Sequence, residues 1–328
     1  MSRYFSTFLF MLFIAGIVEA TDPCPQDTPA ETNACTALEL RQLSPSGDTV
    51  GVLGMDDLYF YWFQDSQTPE PQVSLLKAPI AGGPSLLLSK EIGMAEPDSS
   101  FSGDPPVMNA THLFWSTLEG IYTIPKQGGE ATTLYSAEEH QLKVFNLIGD
   151  GKYLYWVNNA QEIWQMPMAG GQPKRLIHRQ EDIDHLLQAG DQLWWIEHPG
   201  KTFRLVSMNQ KTGTLHTIPL REELEILAVV ADDHFIYLGT MDALKKMPLQ
   251  GGSLVTLVHD GAEKVICGNS KIFYIPYRGD CGGGHLMKIG KNGGSPEEVS
   301  RCPFLRNLLM HEHRLYFLNS KGIGSLSE

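Results

Sequence analysis

The carboxylates of this chain gather in short groups that return about every forty residues, several with a histidine alongside. They are Glu138-Glu139-His140, then Glu181-Asp182-Asp184 between His178 and His185, then Glu222-Glu223 with Glu225, and then Asp260-Glu263 beside His259. An earlier loop adds Glu91, Glu96, Asp98 and Asp104, whereas the accompanying bases are fewer, chiefly Lys90, Arg179, Arg221 and Lys264. Clustered carboxylate oxygens suit a hard divalent cation such as calcium. An uncompensated negative field equally draws a cationic protein, peptide or glycan. A set of solvated loops with no ligand has the same composition, so three readings stand at this level.

Other chemistry is thinly represented. The chain has no HExxH helix, Gly-x-Ser-x-Gly elbow, phosphate loop or EF-hand loop. His311-Glu312-His313 places two imidazoles on one side of an extended chain, which would hold a metal with help from elsewhere, or form an exposed polar turn. Arg278-Gly279-Asp280 spells an integrin-recognition tripeptide next to Cys281 and Gly282-Gly283-Gly284, but a pattern so short recurs by chance. Asn109-Ala110-Thr111 is a glycosylation sequon. The net charge of −13 turns away nucleic acid and anionic membranes as default partners.

The elements that must position these groups repeat with the same period. An aromatic strand, a short gap, an apolar strand and Gly-Gly recur, closing at Gly82-Gly83, Gly128-Gly129, Gly170-Gly171, Gly251-Gly252 and Gly293-Gly294, with a degenerate copy at Gly213. In the clearest unit, strand A is Val144 to Ile148, B is Tyr153 to Val157, C is Ile163 to Met168 and D is Lys174 to Ile177. The A–B turns are Asp56-Asp57, Asn109-Ala110, Gly149-Asp150-Gly151, Gly190-Asp191, Asp232-Asp233, Asn269-Ser270 and His311-Glu312-His313. Asp-Gly and Gly-Gly tolerate positive φ cheaply and punctuate hairpins. Strand B carries the aromatics, among them Tyr61-Trp62, Tyr155-Trp156 and Trp194-Trp195, whose bulk fills the wedge between neighbouring sheets.

The repeat predicts an all-β, seven-bladed β-propeller of four-stranded antiparallel blades over residues 38–328, with six blades as the fallback. The last unit lacks strand D, and Leu38 to Leu43 is expected to supply it, so that an N-terminal strand closes the ring. In such a ring the D–A and B–C loops share one face. The acidic groups fall in the D–A loops and therefore crowd a single face.

The Tyr/Phe-Trp strand followed by "I-x-x-x-P-x-x-G-G" resembles the YWTD-type propellers of lipoprotein-receptor ectodomains and, more closely, their secreted bacterial relatives. The matches are Tyr155-Trp156 with Ile163 to Gly171, Phe114-Trp115 with Ile121 to Gly129, and Leu244 to Gly252. The sequence departs at the Thr-Asp half, reading Val157-Asn158 or Ser116-Thr117, so receptor-like ligand binding is not carried over.

Arg3 before an apolar run from Phe8 to Val18, with Val18-Glu19-Ala20 behind it, reads as a signal peptide over residues 1–20 of a secreted or periplasmic chain. Five cysteines in an exported chain suggest two bridges and one leftover thiol. Cys24 and Cys35 would close a loop in the segment 21–37, and Cys281 and Cys302 fall on one face of the ring, which leaves Cys267 buried and free. The expected function is a monomeric, non-enzymatic protein that binds a protein, peptide or glycan through the D–A/B–C face, with no nucleic acid, no membrane span and no certain cofactor beyond a divalent cation such as calcium. The alternative is a lactonase- or lyase-like enzyme with a metal at the channel mouth, and a plain structural module of an envelope complex is the third option.

Overall fold

A computed structural model describes residues 50–66, 72–90, 106–137, 143–200, 202–220, 224–278, 285–301, 307–319 and 322–328. These form seven antiparallel sheets in chain order. Blade 1 is β1 (Val50–Met55), β2 (Tyr59–Ser66), β3 (Gln72–Pro79) and β4 (Leu86–Ser89), and blade 2 is β5 (Val107–Met108), β6 (His112–Thr117), β7 (Gly120–Pro125) and β8 (Thr132–Ser136). Blade 3 is β9 (Val144–Gly149), β10 (Tyr153–Asn158), β11 (Glu162–Pro167) and β12 (Lys174–His178). Blade 4 follows with β13 (Ile183–Ala189), β14 (Gln192–Glu197), β15 (Phe203–Asn209) and β16 (Leu215–Leu220). Blade 5 is β17 (Ile226–Ala231), β18 (Phe235–Thr240), β19 (Leu244–Pro248) and β20 (Val255–Val258), and blade 6 is β21 (Ala262–Cys267), β22 (Lys271–Pro276), β23 (His285–Gly290) and β24 (Glu297–Arg301). Blade 7 comprises β25 (Leu308–His311), β26 (Arg314–Asn319) and β27 (Gly322–Ser327). The strand expected to complete blade 7, Leu38 to Leu43, lies outside the described residues.

The strands run A to D through each blade. Strand A of one blade touches strand A of the next, as β9 meets β13, β13 meets β17 and β17 meets β21, while β25 meets both β21 and β1. The A strands therefore line the centre, and the ring is closed. The Gly-Gly dipeptides lie in the C–D turns as the repeat predicted. At Gly170 and Gly171, φ is 88° and 134°, values that an L side chain rarely adopts.

No single core serves the molecule. Among the described residues the buried apolar side chains fall into seven clusters, one in each wedge between consecutive blades. The wedge between blades 7 and 1 packs Phe60, Trp62 and Ala78 on Tyr316 and Ile323. Trp62, Trp156 and Trp195 are fully buried, so the strand-B aromatics are packing residues.

The face carrying the A–B and C–D turns is laced by a recurring carboxylate. Asp56, three residues before strand B begins, accepts the amides of Leu58 and Tyr59 and the hydroxyl of Tyr61. Asp150 does the same with Lys152, Tyr153 and Tyr155, and Asp232 with His234, Phe235 and Tyr237. The next blade contributes an ammonium in two cases: Lys126 reaches Asp56 at 2.7 Å and Lys291 reaches Asp232 at 2.8 Å. Burial alone would raise these two acids, but the lysines, turn amides and tyrosines together hold both at about 2.

Candidate functional site

The D–A loop of blade 3 is held in place by main-chain bonds to the B–C turn of the same blade. Arg179 N donates to Gln161 O at 2.8 Å, and Ile183 N donates to Ala160 O at 2.5 Å. That B–C turn is tight, with Asn159 and Ala160 at φ 47° and 59°. Glu181 is half-buried and Asp182 exposed on the loop, whereas Asp184, expected in the loop, is exposed at the start of β13, opposite Ile196 of β14. Gln161 Nε2 donates to Asp182 at 3.3 Å. His198 Nε2 stands 3.0 Å from Asp184 Oδ2, close enough to form an ion pair when protonated, although the two are not aligned for a hydrogen bond. Beside them His185 adopts φ 53°, and burial holds its pKa below the usual histidine value.

Behind this loop lies a residue that sequence reasoning did not single out. Glu197, at the end of β14, has no solvent exposure. It accepts from Arg179 Nε at 2.5 Å, Arg204 Nε at 2.6 Å and the Trp195 indole at 2.8 Å. Burial pushes its pKa upward, yet Arg179, Trp195 and Arg204 together outweigh it and leave the carboxyl below its ordinary value. Arg179 comes from blade 3 and Glu197 from blade 4, so the pair ties the two blades together. The equivalent residue of blade 3, Asn158, is also fully buried; it accepts from the Trp156 indole and donates to Tyr135 of blade 2. The detectable signal was a polar side chain two residues after a strand-B tryptophan, in both blades.

On blade 6, Asp260 is engaged by both terminal nitrogens of Arg278, at 2.6 and 3.1 Å. Arg278 thus has an intramolecular partner, and Gly279 to Gly284 lie outside the described residues. Glu263 is half-buried in β21, where burial raises its pKa against the opposing pull of Lys264. The remaining predicted site residues, Glu138, Glu139, His140, Glu222 and Glu223, also lie outside the described residues, as do Cys24, Cys35, Cys281 and Cys302. Cys267 is a free thiol, as expected, but half-buried at the end of β21 rather than fully buried.

The histidine pair of blade 7 splits between its neighbours. His311 Nε2 lies 3.2 Å from Asp57 of blade 1, and His313 Nδ1 lies 2.5 Å from Asn269 of blade 6. Among the described residues no three histidine, cysteine or carboxylate side chains converge in a way that would hold a metal ion. Nor, among them, is any helix long and apolar enough to cross a membrane.

No family model and no curated protein matches the sequence. Solved structures resemble it in fold. YCF48 bound to D1 peptide superposes with a TM-score of 0.65 at 11% identity, over 88% of this chain and 95% of that one. BamB from Moraxella catarrhalis gives 0.55 at 15%, over 85% and 83%. A puromycin-hydrolyzing peptidase of Mycobacterium tuberculosis gives 0.64 at 13%, over 85% of this chain but 51% of the enzyme, so this chain spans about half its length. Together with the ring of seven sheets, these likenesses establish the chain as a seven-bladed β-propeller.

Proposed function

We propose that this chain is an exported binding propeller, of YWTD-like kinship, that holds a cationic peptide, protein or glycan segment on its D–A/B–C face, with Glu181, Asp182 and Asp184 as the principal contacts. The observation that carries this reading is the fate of the local cations. Arg179 and Arg204 share the buried Glu197, which leaves a single positive charge there, and Arg278 is neutralised by Asp260. The three carboxylates Glu181, Asp182 and Asp184 outnumber that one charge, so the local field is negative. Main-chain bonds already hold the blade 3 loop, so binding would cost little ordering. A divalent cation such as calcium belongs to the same reading as a competitor for these oxygens. YCF48, a propeller of similar fold, binds the D1 peptide, a use consistent with this fold. The signal-like residues 1–20 support export, and the proposed state is monomeric.

Fluorescence anisotropy of a labelled deca-lysine peptide against the protein lacking residues 1–20 tests the proposal. Binding should weaken as salt rises, and should fall about tenfold or more in the Glu181→Gln, Asp182→Asn, Asp184→Asn variant. Equal affinity for deca-glutamate, or a triple variant that binds like the parent, overturns it.

A further inference from the structure

Two seams of the ring are plugged on the A–B/C–D face by the same set of side chains. At the seam of blades 1 and 2, Lys77 Nζ donates to the carbonyl of Lys126 at 2.5 Å, and Lys126 reaches Asp56. Their ammonium groups lie over the rings of Tyr59 and Tyr61. At the seam of blades 5 and 6, Lys246 donates to the carbonyl of Lys291 at 2.6 Å, and Lys291 reaches Asp232.

The seam of blades 4 and 5 has lost all three groups. Strand register places Ser207 opposite Trp194, where Lys77 stands opposite Tyr61 and Lys246 opposite Tyr237. The bond from Leu249 N to His234 O puts Leu249 at the position of Lys126, which bonds Thr111, and of Lys291, which bonds Ser270. Ala189, three residues before strand B, replaces the turn aspartate. The shortened side chains leave a cavity of about 600 Å³ whose wall includes Trp194, Ser207, His216 and Leu249, with Asp191 and Asp233 also on it; Asp191 is already ion-paired with the exposed Lys211 at 2.6 Å, which leaves Asp233 as the other carboxylate of the wall. That volume is in the range of ordinary ligand sites, roughly 300 to 1,000 Å³. Trp194 is buried, and its Nε1 has no acceptor among the described residues, an arrangement that is unfavourable unless something supplies one.

We infer that this cavity receives a lysine side chain presented by an extended segment of a partner protein. The incoming ammonium takes the place of the absent internal lysine, beside Ser207 and the carbonyl of Leu249, within the field of Asp233. Its alkyl stem covers Ala189, Leu249 and the indole, as lysine stems do on apolar surface. A carbonyl of the same segment accepts from Trp194 Nε1. The site is on the opposite face from Glu181, Asp182 and Asp184 and does not depend on them.

The probe is acetyl-Gly-Lys-Gly-amide, with the norleucine peptide as its uncharged counterpart, titrated while the tryptophan indole resonances are followed by NMR. The lysine peptide should bind saturably and shift the Trp194 indole, and the norleucine peptide should bind about tenfold more weakly or worse. Ser207→Lys should refill the seam from within, raise Tm and abolish binding, while the Glu181, Asp182, Asp184 triple variant binds the peptide like the parent. Trp194→Phe keeps a ring of the kind found at Phe114 and Phe273 but removes the donor, and it should weaken binding even if Ser207→Lys fails to fold. The inference is overturned by absence of saturable binding, by equal affinity for norleucine, or by undiminished binding in Trp194→Phe.

Discussion

The side-chain carboxylate of Glu328 occupies the space that a Cβ on Gly268 would need, 2.9 Å from that position. It accepts the amides of Asn269, Ser270 and Lys271. Gly268 stands where Asp56, Asp150 and Asp232 stand in their own blades, so blade 7 supplies in trans the turn cap that blade 6 lacks. Removing the acceptor in Glu328→Ala should cost about 1 kcal/mol. Gly268→Asp should destabilise the parent, because two carboxylates then compete for one space, yet stabilise Glu328→Ala by capping the turn from within. Urea denaturation of the four proteins checks the sign change. If Gly268→Asp has the same effect in both backgrounds, the trans cap is not real.

Acid should loosen the same face. Asp56 and Asp232 titrate at about 2 in the fold against an ordinary 3.8. A depressed acid stabilises the fold fully above its unfolded value and loses that contribution as pH falls through its folded value. The loss therefore runs from about pH 4 down to about pH 2, with each residue contributing on the order of 2 kcal/mol. Asp56→Asn should be markedly destabilised at pH 5 and nearly equal to the parent at pH 2. A deficit of the same size at both pH values would count against this assignment.

Glu197→Gln leaves two partly exposed guanidinium groups facing a neutral amide that is itself closed to solvent. Breaking a buried pair costs roughly 3–5 kcal/mol, and the partial exposure of Arg179 and Arg204 points to the lower end. Replacing all three residues together with apolar ones of similar size should restore most of the loss. A single variant within about 0.5 kcal/mol of the parent would show that the pair contributes little.

Cys267 should resist alkylation in the native protein. Burial pushes its thiol up to about 12, Lys291 pulls it down and Asp232 raises it further, so almost no thiolate exists at neutral pH. Iodoacetamide should modify it only after unfolding, as peptide mapping will show. Rapid native labelling, or a bridge from Cys267 to another cysteine, contradicts the packing of β21.

Period and turn chemistry made the scaffold readable. Gly170-Gly171 demanded a positive-φ turn, Tyr155-Trp156 demanded burial, and the strands of blade 3 lie within a residue of where the pattern put them. The site was harder to read, because exposed loops carry charge with or without a ligand. Arg179 looked like a base that offset the acidic loop, whereas its partner is Glu197, a residue hidden at a strand end in the next blade. Asp56 and Tyr61 were each visible, as a turn residue and a packing ring. Their bond follows from the spacing of five between them, repeated at Asp150 and Tyr155 and at Asp232 and Tyr237.

A closed ring whose apolar clusters all lie between blades has no loose end from which to fray. A linear stack of repeats comes apart from its outermost unit, which has only one neighbour to leave. Here every blade has two, and the contact of Phe60 with Tyr316 joins first to last. The first opening must sacrifice a whole wedge of aromatic packing before any strand is released, and once it has occurred two fresh ends exist at the same moment. Such a molecule should unfold slowly and then all at once, and its lifetime would be set by the rate of that first opening.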